Sequence, residues 1–251
     1  MLPVELQRAL DSISRVRRLL ITCDFDGTLA PIVSDPADAR MLPDAAAALT
    51  ALANLPDTAV ALVSGRALGV LRALSGRSEV PSSIHLVGSH GAEFDSGFAH
   101  DIDEALLRRI IAELTEIAAD KPGVTVETKP ASVALHVRNA SPADGAAALA
   151  AARRASAAWD AHITAGKAVL EFAVISTDKG EAVDILRDRT GSAAVVFLGD
   201  DVTDEKAFAR MRGADVGVKV GPGETLAGLR IESPDDVAEA LTYLLNARAQ
   251  H

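Results

Sequence analysis

Short apolar runs recur along the chain, and they are typical of strands that are covered on both faces of a sheet. Segments with helical spacing lie before, between or after most of these runs. This alternation predicts an α/β fold with a parallel sheet and right-handed crossovers. The runs span residues 18–23, 58–63, 84–87, 193–198 and 214–218, and the helical segments span residues 4–16, 43–54, 67–74, 179–189, 205–211 and 234–246.

The pattern changes between residues 101 and 177, where the order becomes αββαββ. The alternating apolar positions of this part predict an α+β module inserted into the α/β core. We therefore predict a core of residues 1–100 and 178–251 and an inserted cap domain of residues 101–177, which would act as a lid. The predicted elements are helices 102–118 and 142–159, strands 124–128 and 132–138, and a hairpin within 163–174.

Composition narrows the class of partner. A chain of 251 residues with 49% apolar residues is long enough for such a core and cap. A net charge of −10 and an aromatic content of 3% argue against binding to nucleic acid. No apolar run reaches the length of a membrane helix, and the first residues lack a signal-peptide pattern. We expect a cytoplasmic monomer that acts on a small molecule.

The first apolar run ends in two carboxylates and a glycine. Asp24 and Asp26 are two residues apart, so in an extended chain they project to the same side. That place is the carboxyl edge of the predicted sheet, where open α/β sheets bind ligands. A turn that uses Asp and Gly for backbone reasons alone is the alternative. Two carboxylates beside a buried strand need a cation or hydrogen bonds, and we therefore predict a cation site here.

Four motifs, taken in chain order, resemble those of the haloacid-dehalogenase-like (HAD) phosphatases. They are Asp24-x-Asp26-Gly27-Thr28, Ser64, Lys179 and Gly199-Asp200-Asp201-x-x-Asp204. The resemblance covers the whole chain and implies a Rossmann-like parallel-sheet core with an inserted α+β cap. A further set of segments looks like the trehalose-6-phosphate phosphatases: 64–66, 91–93, 127–130, 136–138, 166–171 and 199–205. The chain departs from that pattern at Phe172–Ser176, where relatives usually carry a basic residue and a proline.

The resemblance implies catalytic roles for four residues. Asp24 would be the nucleophile that forms an aspartyl phosphate, and Asp26 the general acid and base. Ser64 would donate a hydrogen bond to the phosphate, and Lys179 would offset negative charge. Taken alone, Lys179 is typical of a solvated surface lysine, and only its place in the series favours a catalytic role.

The resemblance also implies a Mg²⁺ site. Its protein ligands would be Asp24, the backbone carbonyl of Asp26, and Asp200. Asp201 and Asp204 would hold metal-bound waters or orient Lys179, although acidic residues also suit a helix start. Mn²⁺ accepts the same oxygen ligands and stays open as the metal.

Residues that would bind the sugar phosphate lie in both predicted parts of the chain. Those in the cap would supply directional donors and acceptors, although one polar face of a solvated cap sheet has the same pattern. The roles of Arg138 and His90 stay open. The candidates are Gly65, Arg66, Lys129, His136 and Glu171.

The function implied is Mg²⁺-dependent hydrolysis of trehalose 6-phosphate to trehalose and phosphate, a step of trehalose biosynthesis. Hydrolysis of another sugar phosphate, such as sucrose 6-phosphate or mannosyl phosphoglycerate, is the nearest alternative. A phosphomannomutase-like phosphomutase shares the first motif, but Gly199–Asp204 lacks the Gly-Gly-Asn-Asp ending of those enzymes. A sensor without catalysis is a third class, and the presence of a nucleophile argues against it.

Overall fold

The computed structural model describes residues 2–76 and 83–251. The chain folds into two compact units, each described here by itself. The first unit contains the residues up to Ala99 together with Thr177–His251, and the second contains His100–Ser176. Within the described part of the chain, no helix has both the length and the apolar character that crossing a membrane requires.

The first unit is built on one eight-stranded sheet with helices on its two faces. The strands are β1 (Leu19–Cys23), β2 (Thr58–Val63), β3 (Ile84–Gly88), β4 (Glu93–Phe94), β5 (Gly97–Phe98), β10 (Ala194–Gly199), β11 (Val216–Val220) and β12 (Leu229–Ile231). The α-helices are α1 (Val4–Ile13), α2 (Pro43–Ala53), α3 (Leu68–Leu74), α6 (Lys179–Thr190), α7 (Glu205–Phe208) and α8 (Pro234–Arg248). Two short 3₁₀ helices, Pro36–Asp38 and Ser89–Gly91, lie in the loops.

Strand β1 lies inside this sheet, whose order is β12-β11-β10-β1-β2-β3-β4-β5. The six strands from β12 to β3 are parallel, and the two short strands β4 and β5 are antiparallel additions at one edge. Cys23 is aligned with Leu62 of β2 and with Leu198 of β10. The residues that follow these three strands therefore emerge side by side at one edge of the sheet.

Each face of the sheet carries its own apolar core. On one face, alternate residues of the strands pack with buried residues of α1, α2, α3 and α8. On the other face, Leu20, Ala61, Val195 and Phe197 pack with buried residues of α6 and α7. The central strands are apolar on both sides because helices cover both sides. The predicted α/β parallel-sheet core is therefore confirmed.

The second unit has one four-stranded antiparallel sheet and two helices. Their order along the chain is α4 (Glu104–Ala118), β6 (Thr125–Thr128), β7 (Ser132–His136), α5 (Pro142–Ser156), β8 (His162–Gly166) and β9 (Val169–Ala173). The sheet order is β6-β7-β9-β8. Val133, Leu135, Leu170 and Phe172 pack in one core with buried residues of both helices. By strand alternation, Ser132, His136 and Glu171 lie on the opposite face of the sheet.

Several element ends differ from the prediction. Strand β11 runs over Val216–Val220 instead of 214–218, because its last three residues pair with β12, a strand that the sequence pattern did not reveal. Helix α7 ends at Phe208, and the chain then turns. Strand β7 ends at His136, so Arg138 lies in a turn and does not share a strand face with that histidine. Strands β4 and β5 have two residues each, too few for a periodic signal.

A buried ion pair between Arg187 of α6 and Asp215, the residue before β11, leads to a prediction about stability. Asp215 accepts hydrogen bonds from the amides of Val195 and Arg212 at 2.8 Å each, and it pairs with Arg187. The Asp215 side chain is 1% exposed and that of Arg187 is 8% exposed. Asp215→Ala leaves the buried guanidinium of Arg187 without its carboxylate partner. We therefore expect the free energy of unfolding, measured with urea, to fall by about 3–5 kcal/mol.

Asp184→Ala is the matched control for this prediction. Asp184 pairs with Arg210 and Arg212 at the surface, at 2.8 Å each. Its removal should cost at most about 1 kcal/mol, because solvent screens such pairs. Equal losses in the two variants would contradict a special role for the buried pair.

Candidate active site

Three carboxylates meet at the carboxyl end of β1. Asp24 follows the strand directly, and its amide donates to the carbonyl of Leu198 on β10 at 2.9 Å. One carboxylate oxygen each from Asp24, Asp200 and Asp204 lies within 4.8 Å of the others. Asp24 and Asp204 are buried and Asp200 is half-buried. The parallel strands β1 and β10 bring the first and last sequence motifs together, as predicted for this edge of the sheet.

Lys179 connects two of these carboxylates. It is the first residue of α6, and its Nζ lies 2.7 Å from Asp24 Oδ1 and 2.7 Å from Asp204 Oδ1. The side chain of Lys179 is 2% exposed. Asp178 caps the helix by accepting the amide of Glu181, so the start of α6 is fixed by its own local sequence. Lys179 is therefore a buried group of the site and not a surface lysine.

The electrostatics of the cluster follow from its burial. Burial raises the pKa of Asp24 to about 8, with Lys179 acting to lower it and Asp204 to raise it further. Burial and the charge of Asp204 also raise the pKa of Asp200. Burial alone would lower the pKa of Lys179, but the charges of Asp24 and Asp204 outweigh it and the pKa is raised. The raised pKa keeps Lys179 in its charged form.

Asp200 is held against the loop that follows β1. Its Oδ1 accepts a hydrogen bond from Thr28 Oγ1 at 3.3 Å. Gly27 has φ +80°, and a Cβ at that position would lie 2.1 Å from Asp200 Oδ2. Glycine is required there both for the backbone conformation and for the space that the carboxylate fills.

The donor set fits a hard divalent cation. The cluster contains the three carboxylates of Asp24, Asp200 and Asp204, and Lys179 pairs with two of them. Both oxygens of Asp204 accept hydrogen bonds, one from Lys179 and one from the amide of Asp201. One oxygen of Asp24 contacts Lys179, and one oxygen of Asp200 accepts the hydroxyl of Thr28. Within residues 2–76 and 83–251, the carbonyl of Asp26 accepts no backbone hydrogen bond. Carboxylate oxygens are typical protein ligands of Mg²⁺.

The side chain of Asp204 does not act as a helix cap. It precedes α7, but its side chain forms no hydrogen bond with the first turn of that helix. Its Oδ2 instead accepts the amide of Asp201 at 2.9 Å, while its Oδ1 contacts Lys179. Of the two roles predicted for Asp204, the structure shows the contact that orients Lys179. Asp201 is exposed, and its own carboxylate accepts the amide of Val202.

Asp26 is held by Arg66. The guanidinium donates from Nε and from Nη2 to the two carboxylate oxygens, each at 2.6 Å. The side chains are 16% exposed for Arg66 and 32% exposed for Asp26. The guanidinium also lies 6.0 Å from the ring centroid of Phe25. This two-pronged pair fixes the carboxylate plane of Asp26.

Ser64 and Gly65 follow β2 at the same edge of the sheet. Ser64 is buried, its amide donates to Val87, and its Oγ accepts the amide of Arg66 at 3.2 Å. A Cβ at Gly65 would lie 2.4 Å from the ring of His90, so this glycine makes room for the histidine. His90 has φ +56° and donates its amide to the carbonyl of Ser64.

In the second unit, the predicted sugar-binding residues form polar contacts on the face of the sheet opposite its helices. Lys129 Nζ lies 3.0 Å from Glu171 Oε1, which also accepts a hydrogen bond from Ser132 at 2.6 Å. His136 Nε2 lies 2.8 Å from Glu127 Oε2. The strand register aligns Glu127 and Glu171 with opposite sides of Ala134. Arg138 is exposed in the turn after β7.

Sequence reasoning missed two contacts of the first unit. The hydroxyl of Thr28 was quoted as part of a motif but given no role, and it bonds Asp200. Lys219 lies just beyond the predicted apolar run of residues 214–218, yet it belongs to β11 and is 4% exposed. A lysine in an apolar strand, near the edge where the motifs meet, is the signal that points to it.

Comparison with known proteins places the chain among phosphatases. A family model described as trehalose-phosphatase matches residues 22–227. The chain is 40% identical to a trehalose-phosphate phosphatase of Mycobacterium avium, over 86% of this chain and 59% of that protein. It is 36% identical to the trehalose-6-phosphate phosphatase of Escherichia coli K12, over 90% of this chain and 86% of that protein.

A solved structure agrees with these similarities. The trehalose-6-phosphate phosphatase of Aspergillus fumigatus superposes with a TM-score of 0.72 at 26% identity, covering 96% of this chain and 97% of that one. The first curated relatives are longer: the chain spans 20% of the length of a Mycobacterium tuberculosis protein called an uncharacterised glycosyl hydrolase, and 59% of the M. avium protein.

Asp24→Asn should stabilise the metal-free protein. The pKa of Asp24 is raised to about 8 in the folded state, so the unfolded chain releases this proton at lower pH. Ionisation therefore costs stability as the pH rises from about 4 to about 8, and the neutral amide escapes that cost. We expect a melting temperature several degrees above wild type at pH 8, since about 1 kcal/mol corresponds to about 2–4 °C at this size.

The stabilisation should shrink as the pH falls toward 5, which melting curves in chelator at several pH values would show. Asp188→Asn, at an exposed position of α6, is the control and should stay within about 0.5 kcal/mol of wild type at every pH. A gain for Asp24→Asn that does not depend on pH would contradict this account.

Proposed function

Because the chain belongs to the trehalose-phosphatase family, we propose that it hydrolyses trehalose 6-phosphate to trehalose and inorganic phosphate in the presence of Mg²⁺. The observation that carries the proposal is the buried Asp24, which shares Lys179 with Asp204 and lies within the three-carboxylate cluster. Asp24 directly follows β1 at the carboxyl edge of the parallel sheet, which is where open α/β sheets bind their ligands.

In this proposal Asp24 is the nucleophile. One of its carboxylate oxygens forms a bond to phosphorus while the bond from phosphorus to the sugar oxygen breaks, which gives an aspartyl phosphate and the free sugar. Water then attacks that phosphorus, and the bond to Asp24 breaks to release phosphate. Lys179 lies 2.7 Å from Asp24 Oδ1 and would offset the negative charge that gathers there. Ser64, buried at the same edge, would donate its hydroxyl to the phosphate.

Asp26 is the proposed general acid and base. It would give a proton to the departing sugar oxygen and later accept one from the attacking water, so its protons balance over the cycle. Arg66 donates two hydrogen bonds to Asp26 and so holds its carboxylate at this edge of the sheet before a substrate binds. Arg66 also brings a positive charge, which would attract the phosphate.

The proposed Mg²⁺ ligands are Asp24, the carbonyl of Asp26, and Asp200. Their support is the three carboxylates of the cluster and the oxygen donors described above. When bound, the ion would supply positive charge against the repulsion between the phosphate and the attacking carboxylate. Asp204 would act through Lys179, whose ammonium it holds.

Selection of the sugar is assigned to the second unit, the inserted cap domain. The sheet face opposite its helices carries the ion pair of Lys129 with Glu171 and the hydrogen bond between His136 and Glu127, both partly exposed to solvent. A disaccharide has many hydroxyls and needs directional donors and acceptors of this kind. Ser132 supports the proposal because its hydrogen bond fixes Glu171 on that face.

Asp26→Asn should reveal the general acid through the leaving group. We expect kcat/KM with trehalose 6-phosphate to fall about 10²–10⁴-fold, because the sugar oxygen leaves without a proton. This ratio reports the steps up to departure of the leaving group and not the later hydrolysis of the aspartyl phosphate, which both substrates share. With 4-nitrophenyl phosphate the fall in kcat/KM should be much smaller, since nitrophenolate leaves unprotonated. Steady-state kinetics with both substrates gives the comparison, and Asp44→Asn, at an exposed position of α2, is the control. Equal losses with both substrates would exclude the assigned role.

A substrate panel tests the function itself. We expect phosphate release from trehalose 6-phosphate with Mg²⁺, loss of that release with chelator, and at least about tenfold lower kcat/KM for glucose 6-phosphate and sucrose 6-phosphate. Preference for one of the other esters would keep the phosphatase chemistry and refute the assignment of the sugar. Transfer of labelled phosphate back to a sugar, instead of release, would refute hydrolysis in favour of a mutase.

A further inference from the structure

Lys219 is a buried lysine that the proposed mechanism does not use. It is the fourth residue of β11, whose sequence is otherwise Val-Gly-Val and a final Val. Val216, Val218 and Val220 face the core shared with α1 and α8. Lys219 therefore faces the opposite side of the sheet, the side on which α6 and α7 lie. Only 4% of its surface is exposed.

The contact of Lys219 follows from the strand register. It is aligned with Gly199, the last residue of β10, and Asp200 is the next residue along the chain. The ammonium donates a hydrogen bond to the backbone carbonyl of Asp200. No carboxylate of the described ranges 2–76 and 83–251 forms an ion pair with it. A buried ammonium is costly unless it is hydrogen-bonded, and the carbonyl of Asp200 supplies a hydrogen bond of this kind.

Asp200 is thus fixed from two directions. Its carboxylate accepts the hydroxyl of Thr28, from the loop after β1, and its peptide carbonyl accepts the ammonium of Lys219, from β11. The first contact sets the side chain and the second sets the peptide from which that side chain projects. Mg²⁺ demands near-ideal octahedral geometry, so a small rotation of one ligand costs affinity.

We propose that Lys219 is a positioning residue for the divalent cation, acting through the peptide of Asp200. This inference deepens the proposed function and rests on it for the identity of the ion. Lys219 does not touch the ion or the phosphate in this role. It holds a ligand at the correct angle and adds a buried positive charge behind it, as hydrogen-bonded partners of metal ligands generally do.

Lys219→Met tests the proposal, because methionine retains the unbranched stem and removes the ammonium. Binding of Mg²⁺ alone, without substrate, is measured by titration calorimetry. We expect the dissociation constant for Mg²⁺ to rise about 10–100-fold, which is the usual effect of losing a residue that hydrogen-bonds to a metal ligand. Saturating Mg²⁺ should then restore kcat close to wild type with little change in KM for the sugar phosphate. A dissociation constant within twofold of wild type would overturn the proposal.

Lys206→Met is the matched control. Lys206 is exposed on α7, so the substitution makes the same change in side chain and net charge without removing the hydrogen bond to Asp200. It should leave the Mg²⁺ dissociation constant within twofold of wild type. An equal rise in both variants would mean that total charge, not the contact, sets the affinity, and would also overturn the proposal.

Two further measurements distinguish an effect of Lys219→Met on folding from an effect on Mg²⁺ binding. A purely structural lysine would lower the melting temperature of Lys219→Met in chelator without changing the Mg²⁺ affinity of the folded protein, which would overturn the proposal. If Lys219→Met does not fold, Lys219→Leu, which also removes both the donor and the charge, is titrated in its place with the same expectation. Failure of the wild type to release phosphate would refute the proposed function alone, because the calorimetric comparison needs no turnover. Failure of the wild type to bind Mg²⁺ would overturn the proposal.

Discussion

The cluster of three carboxylates at the carboxyl end of β1 is the constraint on which the first unit depends. Asp24, Asp200 and Asp204 bring their oxygens within 4.8 Å of one another at a largely buried place. Such a group is stable only if fixed positive charge and hydrogen-bond donors reach it from several directions. A parallel sheet meets this need, because its strands end at one edge and the following segments can all turn toward the same point. The donors accordingly come from the start of α6, from the loop after β1 and from the amide of Asp201 after β10.

The glycines of the motifs follow from the same constraint. At Gly27 and at Gly199, a Cβ would meet a carboxylate of the cluster, at 2.1 Å from Asp200 and at 2.4 Å from Asp204. The carboxylates of Asp200 and Asp204 occupy the space that a side chain at these two glycine positions would fill. The spacing of the motifs therefore reflects packing as well as chemistry. This explains why Asp-x-Asp-Gly predicts more than a turn when it follows a buried strand. A turn needs the glycine for its φ angle alone, whereas this site also needs the missing methyl group.

Much of this arrangement could be predicted from the sequence, because apolar runs report strands that are covered on both sides and the residues after them must share an edge. The positions of Asp24 and Asp200 in the site followed from that logic. Lys219 and β12 did not, because strand pairing depends on contacts between distant segments and a three-residue strand has no period to detect. Arg66 was expected to meet a ligand, and its pairing with Asp26 depends on a loop geometry that spacing does not encode.

The exposed fraction of the side chains distinguishes two kinds of ion pair: buried pairs that stay intact, and partly exposed pairs that a ligand can replace. The pair of Lys179 and Asp24 is 2% and 6% exposed, so solvent and ligands hardly reach it. The pairs of Arg66 with Asp26 and of Lys129 with Glu171 are 16% to 33% exposed, and pairs in contact with solvent contribute at most about 1 kcal/mol. A ligand can replace the second kind at small cost. The proposed nucleophile therefore stays fixed through the cycle, while the residues proposed to bind the sugar phosphate can exchange their partners for it.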